Sequence, residues 1–279
     1  MHTVLNFIYY MNQRSYQKFT LGEQLTEEQI TFFNKNGFIH FTGVISTEEV
    51  DAIIRSTEDV QNKWISDGIK KINGVPVKYG IDENGRPIVH RFPFTSQYSG
   101  AVREFVNHPR LQALKALMPE GARIAENEKD GVVLNHYVNT TNSNFRQMGW
   151  HTDSMRDVFY GKKIMPMLNV GLYLDESGSD KGGLRIIPGT HKQNLFNMLF
   201  KKAYFMNNEE DPNEMLVDAK AGDLVIHDGR IWHRVAVSPH MGIKSKRRVM
   251  YIPIIVGKYM PKDDQSATPI YHHFQKLVK

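Results

Sequence analysis

The 279-residue chain contains no cysteine. That absence removes thiolate metal sites, iron–sulfur clusters, disulfides and cysteine nucleophiles together, so any metal must be held by nitrogen and oxygen donors. Its 12 histidines become the residues to follow. Long apolar runs are missing as well: no window reaches the roughly 18 uninterrupted apolar residues that a membrane-spanning helix needs. The opening MHTVLNFIYYMNQRSYQ has no leading Lys or Arg and no small-residue cleavage site, so it does not read as a signal peptide. With no disulfides to form, the expected location is the cytosol. Strong charge of one sign is also lacking. The net charge of +5 is scattered, with one dense cluster at Lys244, Lys246, Arg247 and Arg248. A nucleic-acid surface calls for a broader basic stripe interleaved with aromatics, so nucleic acid is not the expected partner. No repeat, low-complexity tract or linker divides the chain. It reads as a single domain over residues 1–279, with residues 1–20 as an N-terminal extension.

Local signals are clear in what remains. Thr26-Glu27-Glu28-Gln29 and Ser46-Thr47-Glu48-Glu49 are capping boxes, in which the hydroxyl residue and the Gln or Glu three places on satisfy each other's free amides. Gly37 supplies a stop for the first helix, and Val50, Ile53, Ile54, Val60 and Trp64 follow the second at helical spacing. FIHFTGVI between them reads as a strand. Asn73-Gly74 and Asn84-Gly85 are hairpin signals, and Ala101 to Leu117 is a helical stretch in which Pro109 suits a new start. From Val132 onward short strands dominate: VVLNHYV, MLNVGLYLD, GLRIIPG, EMLVDA, DLVIHDG, HRVAVS and RRVMYIPIIV. Such a run predicts a mainly β sandwich or barrel with helices packed outside, rather than alternating βαβ units.

Three stretches carry candidate chemistry. In GWHTDSM, His151 and Asp153 are two places apart, so on an extended strand both point to one face and can converge on one ion. The triplet alone is a weak signal. AGDLVIHDGRIWHRV offers His227 and His233, and spacing does not choose between them. Arg247 and Arg248 then open an apolar strand, where one of the pair must face inward and needs an anionic partner. A carboxylate bound side-on to the guanidinium is the strong geometric solution.

Taken in order, the H-x-D pair, NVGLYLDESGSDKGGLRIIPGTHK, GDLVIHDGRIWHRV and KRRVMYIP resemble the phytanoyl-CoA dioxygenase family of iron(II)- and 2-oxoglutarate-dependent oxygenases. LTEEQITFFNKNGFIHFTGVIS resembles that family's opening, and the similarity spans about residues 25–256. The resemblance implies a double-stranded β-helix, a cupin-like jelly roll. It implies His151, Asp153 and His233 as iron ligands, leaving open positions for 2-oxoglutarate and O2. Arg247 matches the arginine that pairs with the far carboxylate of 2-oxoglutarate, with Arg248 as its alternative if the register slips by one. Asn135 shares a strand face with Val133 and Tyr137 that can line the cosubstrate pocket. His227 is read as a turn histidine beside Asp228, and His191 in the P-G-T-H turn as structural. The loop 139–148, His90-Arg91-Phe92 and the stretch 193–213 are candidate substrate walls. Because Asp153 is a carboxylate where halogenating relatives carry a small residue, the expected reaction is hydroxylation of a small-molecule substrate with release of succinate and CO2. The competing class is a macromolecule-directed oxygenase or a non-catalytic metal-binding jelly roll.

Overall fold

Both capping boxes form in the computed structural model, which describes residues 15–143, 145–159, 161, 163–269 and 272. Helix α1 (Glu27–Asn36) begins with the Gln29 amide donating to Thr26 Oγ1 and the Thr26 amide donating to Gln29 Oε1; it ends at Gly37, whose φ of 77° suits a residue without Cβ. Ser46 and Glu49 cap α2 (Thr47–Ser66) in the same way. The helical stretch from Ala101 forms as short pieces, Gly100–Val106 and Pro109–Ala113, then a 3-10 turn, with the new start at Pro109 that the sequence suggests. Pro109 explains the break: it forces His108 into extended backbone (ψ 135°) and lacks the amide that would continue the ladder.

The strands, in chain order, are β1 (Phe38–Phe41), β2 (Lys71–Ile72), β3 (Val75–Pro76), β4 (Lys78–Ile81), β5 (Pro87–Phe92), β6 (Arg123–Ile124), β7 (Val133–Tyr137), β8 (Met148–His151), β9 (Met167–Tyr173), β10 (Gly183–Ile186), β11 (Met215–Leu216), β12 (Leu224–Asp228), β13 (His233–Ala236) and β14 (Arg247–Ile255). The larger sheet runs β1-β12-β9-β14-β7-β5-β4, with β6 also on β14; a smaller sheet runs β11-β10-β13-β8. All pairings between these strands are antiparallel, and the two sheets form the jelly roll. Asn73 and Gly74, both at positive φ, turn the β2–β3 hairpin as their sequence predicts.

Alternation along the larger sheet decides what reaches the interior. Leu134, Leu168, Val170, Leu172, Leu224, Ile226, Met250, Ile252 and Ile254 belong to the outer core with α2 residues Val50, Ile53, Val60 and Trp64. Their neighbours Tyr173, Val225 and Val249 pack instead against Leu184 and Ile186 of the smaller sheet. By the same period of two, Asn135, Asn169, His227, Arg247 and Tyr251 face the space between the sheets.

Residues 15–20 of the expected N-terminal extension are docked onto the fold, while residues 1–14 lie outside the described residues. Phe19 bridges Phe41 and is buried. Tyr16 donates its hydroxyl proton to His40 Nδ1, and His40 Nε2 donates to Asp223 at 2.9 Å. Among the described residues, no helix is long and apolar enough to cross a membrane.

Candidate active site

His151 ends β8 and His233 begins β13, and the two stand opposite each other in the register of the smaller sheet. Asp153 follows in a turn fixed by the Ser154 amide, which donates to Gly229 O. One donor atom from each of His151, Asp153 and His233 can be chosen so that all lie within 4.8 Å of one another, and all three side chains are buried.

The backbone fixes the protonation of both imidazoles. His151 Nδ1 is 2.8 Å from Gly149 O, and His233 Nδ1 is 3.1 Å from Ile231 O. A carbonyl only accepts, so each Nδ1 carries the proton and each Nε2 presents a bare lone pair. Burial lowers the proton affinity of His151 and holds His233 well below the ordinary range, so both are neutral at neutral pH. Burial opposes ionisation of Asp153. The hydrogen bond from His227 and the nearby His233 and Arg156 outweigh it, keeping the carboxyl well below its ordinary value. Two neutral nitrogen donors and one carboxylate, with no thiolate in the chain, form a donor set suited to a divalent ion such as iron(II).

Arg247 and Arg248 separate as alternate strand residues must. Arg248 points outward and makes two 2.8 Å hydrogen bonds with the two oxygens of Asp175. Arg247 shares its strand face with Tyr251 and Pro253, which line the cavity beside the triad; it sits immediately behind that lining, with its guanidinium 5.2 Å from the Tyr137 ring centre. Its Nη2 donates to Ala236 O at 3.1 Å, its Nε has no partner, and no carboxylate among the described residues pairs with it. A buried cation without a counter-ion fits an anionic ligand. Asn135 also lines the cavity, donating to Tyr137 at 3.2 Å while its own Oδ1 is left buried and unpartnered.

Of the expected walls, Arg91, Met148 and Phe205 reach the cavity, whereas His90 turns away to bond His136 O and Phe92 joins the outer core. The Phe205 ring stacks on His151 at 5.0 Å. His191 lies against Asn34 and Gly37 at the end of α1, in the structural role expected of it.

His227 is not the turn residue expected. Strand β12 continues through it, and its side chain is 1% exposed with Nε2 3.3 Å from Asp153 Oδ2. Asn169, unremarked in the sequence, donates to the same oxygen at 2.8 Å. A polar residue inside the apolar run MLNVGLYL was the available signal.

The chain resembles the solved structures of AviO1 from Streptomyces viridochromogenes Tue57 (18% identity, 87% of this chain and 99% of that one, TM-score 0.59) and of SnoK, a non-heme α-ketoglutarate-dependent carbocyclase from nogalamycin biosynthesis (15%, 94% and 94%, 0.62). It also resembles HygX from Streptomyces hygroscopicus with nickel and 2-oxoglutarate bound (16%, 85% and 89%, 0.59). Identities this low establish a shared fold. No curated protein matches the chain significantly. The phytanoyl-CoA dioxygenase family model matches residues 33–236, and the chain therefore belongs to that family of iron(II)- and 2-oxoglutarate-dependent oxygenases.

Proposed function

We propose that His151, Asp153 and His233 bind iron(II), that Arg247 and Asn135 hold 2-oxoglutarate, and that the enzyme hydroxylates an unactivated C–H bond of a small molecule in the cytosol. The observation that carries this reading is the convergence of two bare Nε2 atoms and one carboxylate at a buried centre, close to a guanidinium that no carboxylate among the described residues pairs. Iron(II), 2-oxoglutarate and O2 supply the oxidation when bound, with succinate and CO2 as co-products.

The residues of the chain bind, orient and shield. Arg247 offers a far carboxylate the partner that its own fold denies it. Burial pushes the Tyr137 phenol up to about 12, so its hydroxyl keeps a proton to donate toward an anion. Phe205 stacks over one face of His151 and so covers that side of the triad. Asp153 occupies the place that a halide would need, which favours hydroxylation over halogen transfer. A small-molecule substrate suits the enclosed setting of the triad, and SnoK, of the same fold, belongs to nogalamycin biosynthesis. The test is succinate release by iron-loaded protein across a broad panel of metabolites, with Asp153→Ala as the control. Metabolite-dependent succinate that disappears in the variant supports the proposal; full turnover by the variant removes Asp153 from the triad.

A further inference from the structure

The centre holds a third histidine for which the proposed chemistry has no role. His227 Nε2 lies 3.3 Å from Asp153 Oδ2, and its ring is 4.5 Å from that of His233. Among the described residues its Nδ1 has no partner, so the contact with Asp153 is the one hydrogen bond they give the ring. Asn169 Nδ2 donates to the same Oδ2 at 2.8 Å. These two side chains are direct cross-strand partners, Asn169 on β9 facing His227 on β12, so the sheet delivers both donors to one point. A carboxylate oxygen has two lone pairs, and both on Oδ2 are taken. Among the described residues Oδ1 accepts no hydrogen bond: Arg156 Nη2 stands at 3.7 Å and His151 Nε2 at 4.0 Å, while His233 Nε2 lies 3.8 Å from Oδ2.

We propose that His227 and Asn169 are positioning residues for the metal centre, saturating Oδ2 of Asp153 so that the carboxylate offers Oδ1 alone to the ion. A carboxylate held in this way takes one coordination position instead of two, which preserves room for a cosubstrate that binds through two atoms. The inference rests on the iron-binding reading above. Outer partners that orient a ligand typically change metal affinity by about 10- to 100-fold when removed.

The experiment titrates metal-stripped, full-length protein with Co(II) alone and follows visible absorption, which reports coordination without turnover. His227→Phe fills the space without a donor, His227→Gln restores an N–H, and Asn169→Leu removes the second donor at nearly constant shape. Each variant is first checked by thermal melting. We expect His227→Phe and Asn169→Leu to weaken Co(II) binding by about 10- to 100-fold and to alter the absorption bands, with His227→Gln staying close to wild type. Should His227→Phe fail to fold, Asn169→Leu reads the same oxygen independently. The proposal is overturned if either donor deletion, in folded protein, leaves affinity and absorption unchanged, or if His227→Gln falls as far as His227→Phe. Wild-type Co(II) binding that Asp153→Ala abolishes is the separate check on the metal reading. Failure there sinks the metal assignment, whereas intact Asp153-dependent binding with indifferent His227 and Asn169 variants sinks only the positioning role.

Discussion

Adjacent arginines with opposite partners give the sharpest test at the level of single residues. Arg248 is satisfied by Asp175, and its loss leaves that carboxylate without its bidentate partner. Arg248→Ala should therefore lower stability, on the order of 3 kcal/mol, as a reduced melting temperature with the 2-oxoglutarate requirement unchanged. Among the described residues Arg247 hydrogen-bonds only Ala236 O and the more distant Arg146 O. Arg247→Ala should raise the 2-oxoglutarate requirement tenfold or more, in line with the about 2–5 kcal/mol lost when a buried charge pair is broken at a binding site. Steady-state kinetics in 2-oxoglutarate would show it, and an increase in the Arg248 variant instead would exchange the two roles. Sequence spacing established that the arginines must diverge. It could not show which one already owned a partner, because Asp175 lies on a segment that meets β14 only in three dimensions.

Elements were legible where a local device fixes them and obscure where tertiary burial does. The capping boxes at Thr26 and Ser46 are written in adjacent residues and form as read. Ser46→Ala should cost about 1 kcal/mol and lower the melting temperature by about 2–4 °C. His227 shows the opposite case. Strand β12 is covered on both faces, so all five residues from Leu224 to Asp228 are buried and its pattern carries no mark of inside and outside. Only pairing with β9, where Leu224 and Ile226 take the helix-covered face, assigns His227 to the space between the sheets, against Asp153. The segment carrying Phe205 was legible as a wall but not in its attachment. Phe205 sits at φ 61°, an unusual conformation for a bulky residue, held by the amide of Phe205 donating to Trp150 O and that of Trp150 donating to Asn207 O. Gly149 permits this approach, since a Cβ there would lie 2.4 Å from Phe205 O. Gly149→Ala should destabilise the protein by about 1–3 kcal/mol and expose residues 193–213 to proteolysis; a variant as resistant as wild type would show that the contact relaxes freely.

Across the whole molecule, buried histidines set the response to acid. Burial lowers the proton affinity of His90, His151 and His233 below the ordinary value of 6.5. The unfolded chain protonates such imidazoles near pH 6.5 and the folded chain only at lower pH, so within that window the unfolded state binds more protons. Stability of the metal-free protein should therefore be greatest above pH 6.5 and decline as pH falls below it. Asp130 and Asp153, both held well below the ordinary 3.8, add a second loss only below that value. Chemical denaturation across pH 4–8 would trace the first decline, and a flat profile would contradict it. The register of His151 against His233 has a further thermodynamic consequence. If one ion joins these two imidazoles, it acts as a removable clasp on the β8–β13 ladder, and folding becomes linked to metal supply. Each tenfold rise in free metal above the dissociation constant would then add about 1.4 kcal/mol to stability, while a chelator would loosen two strands that the chain itself brings together from widely separated segments.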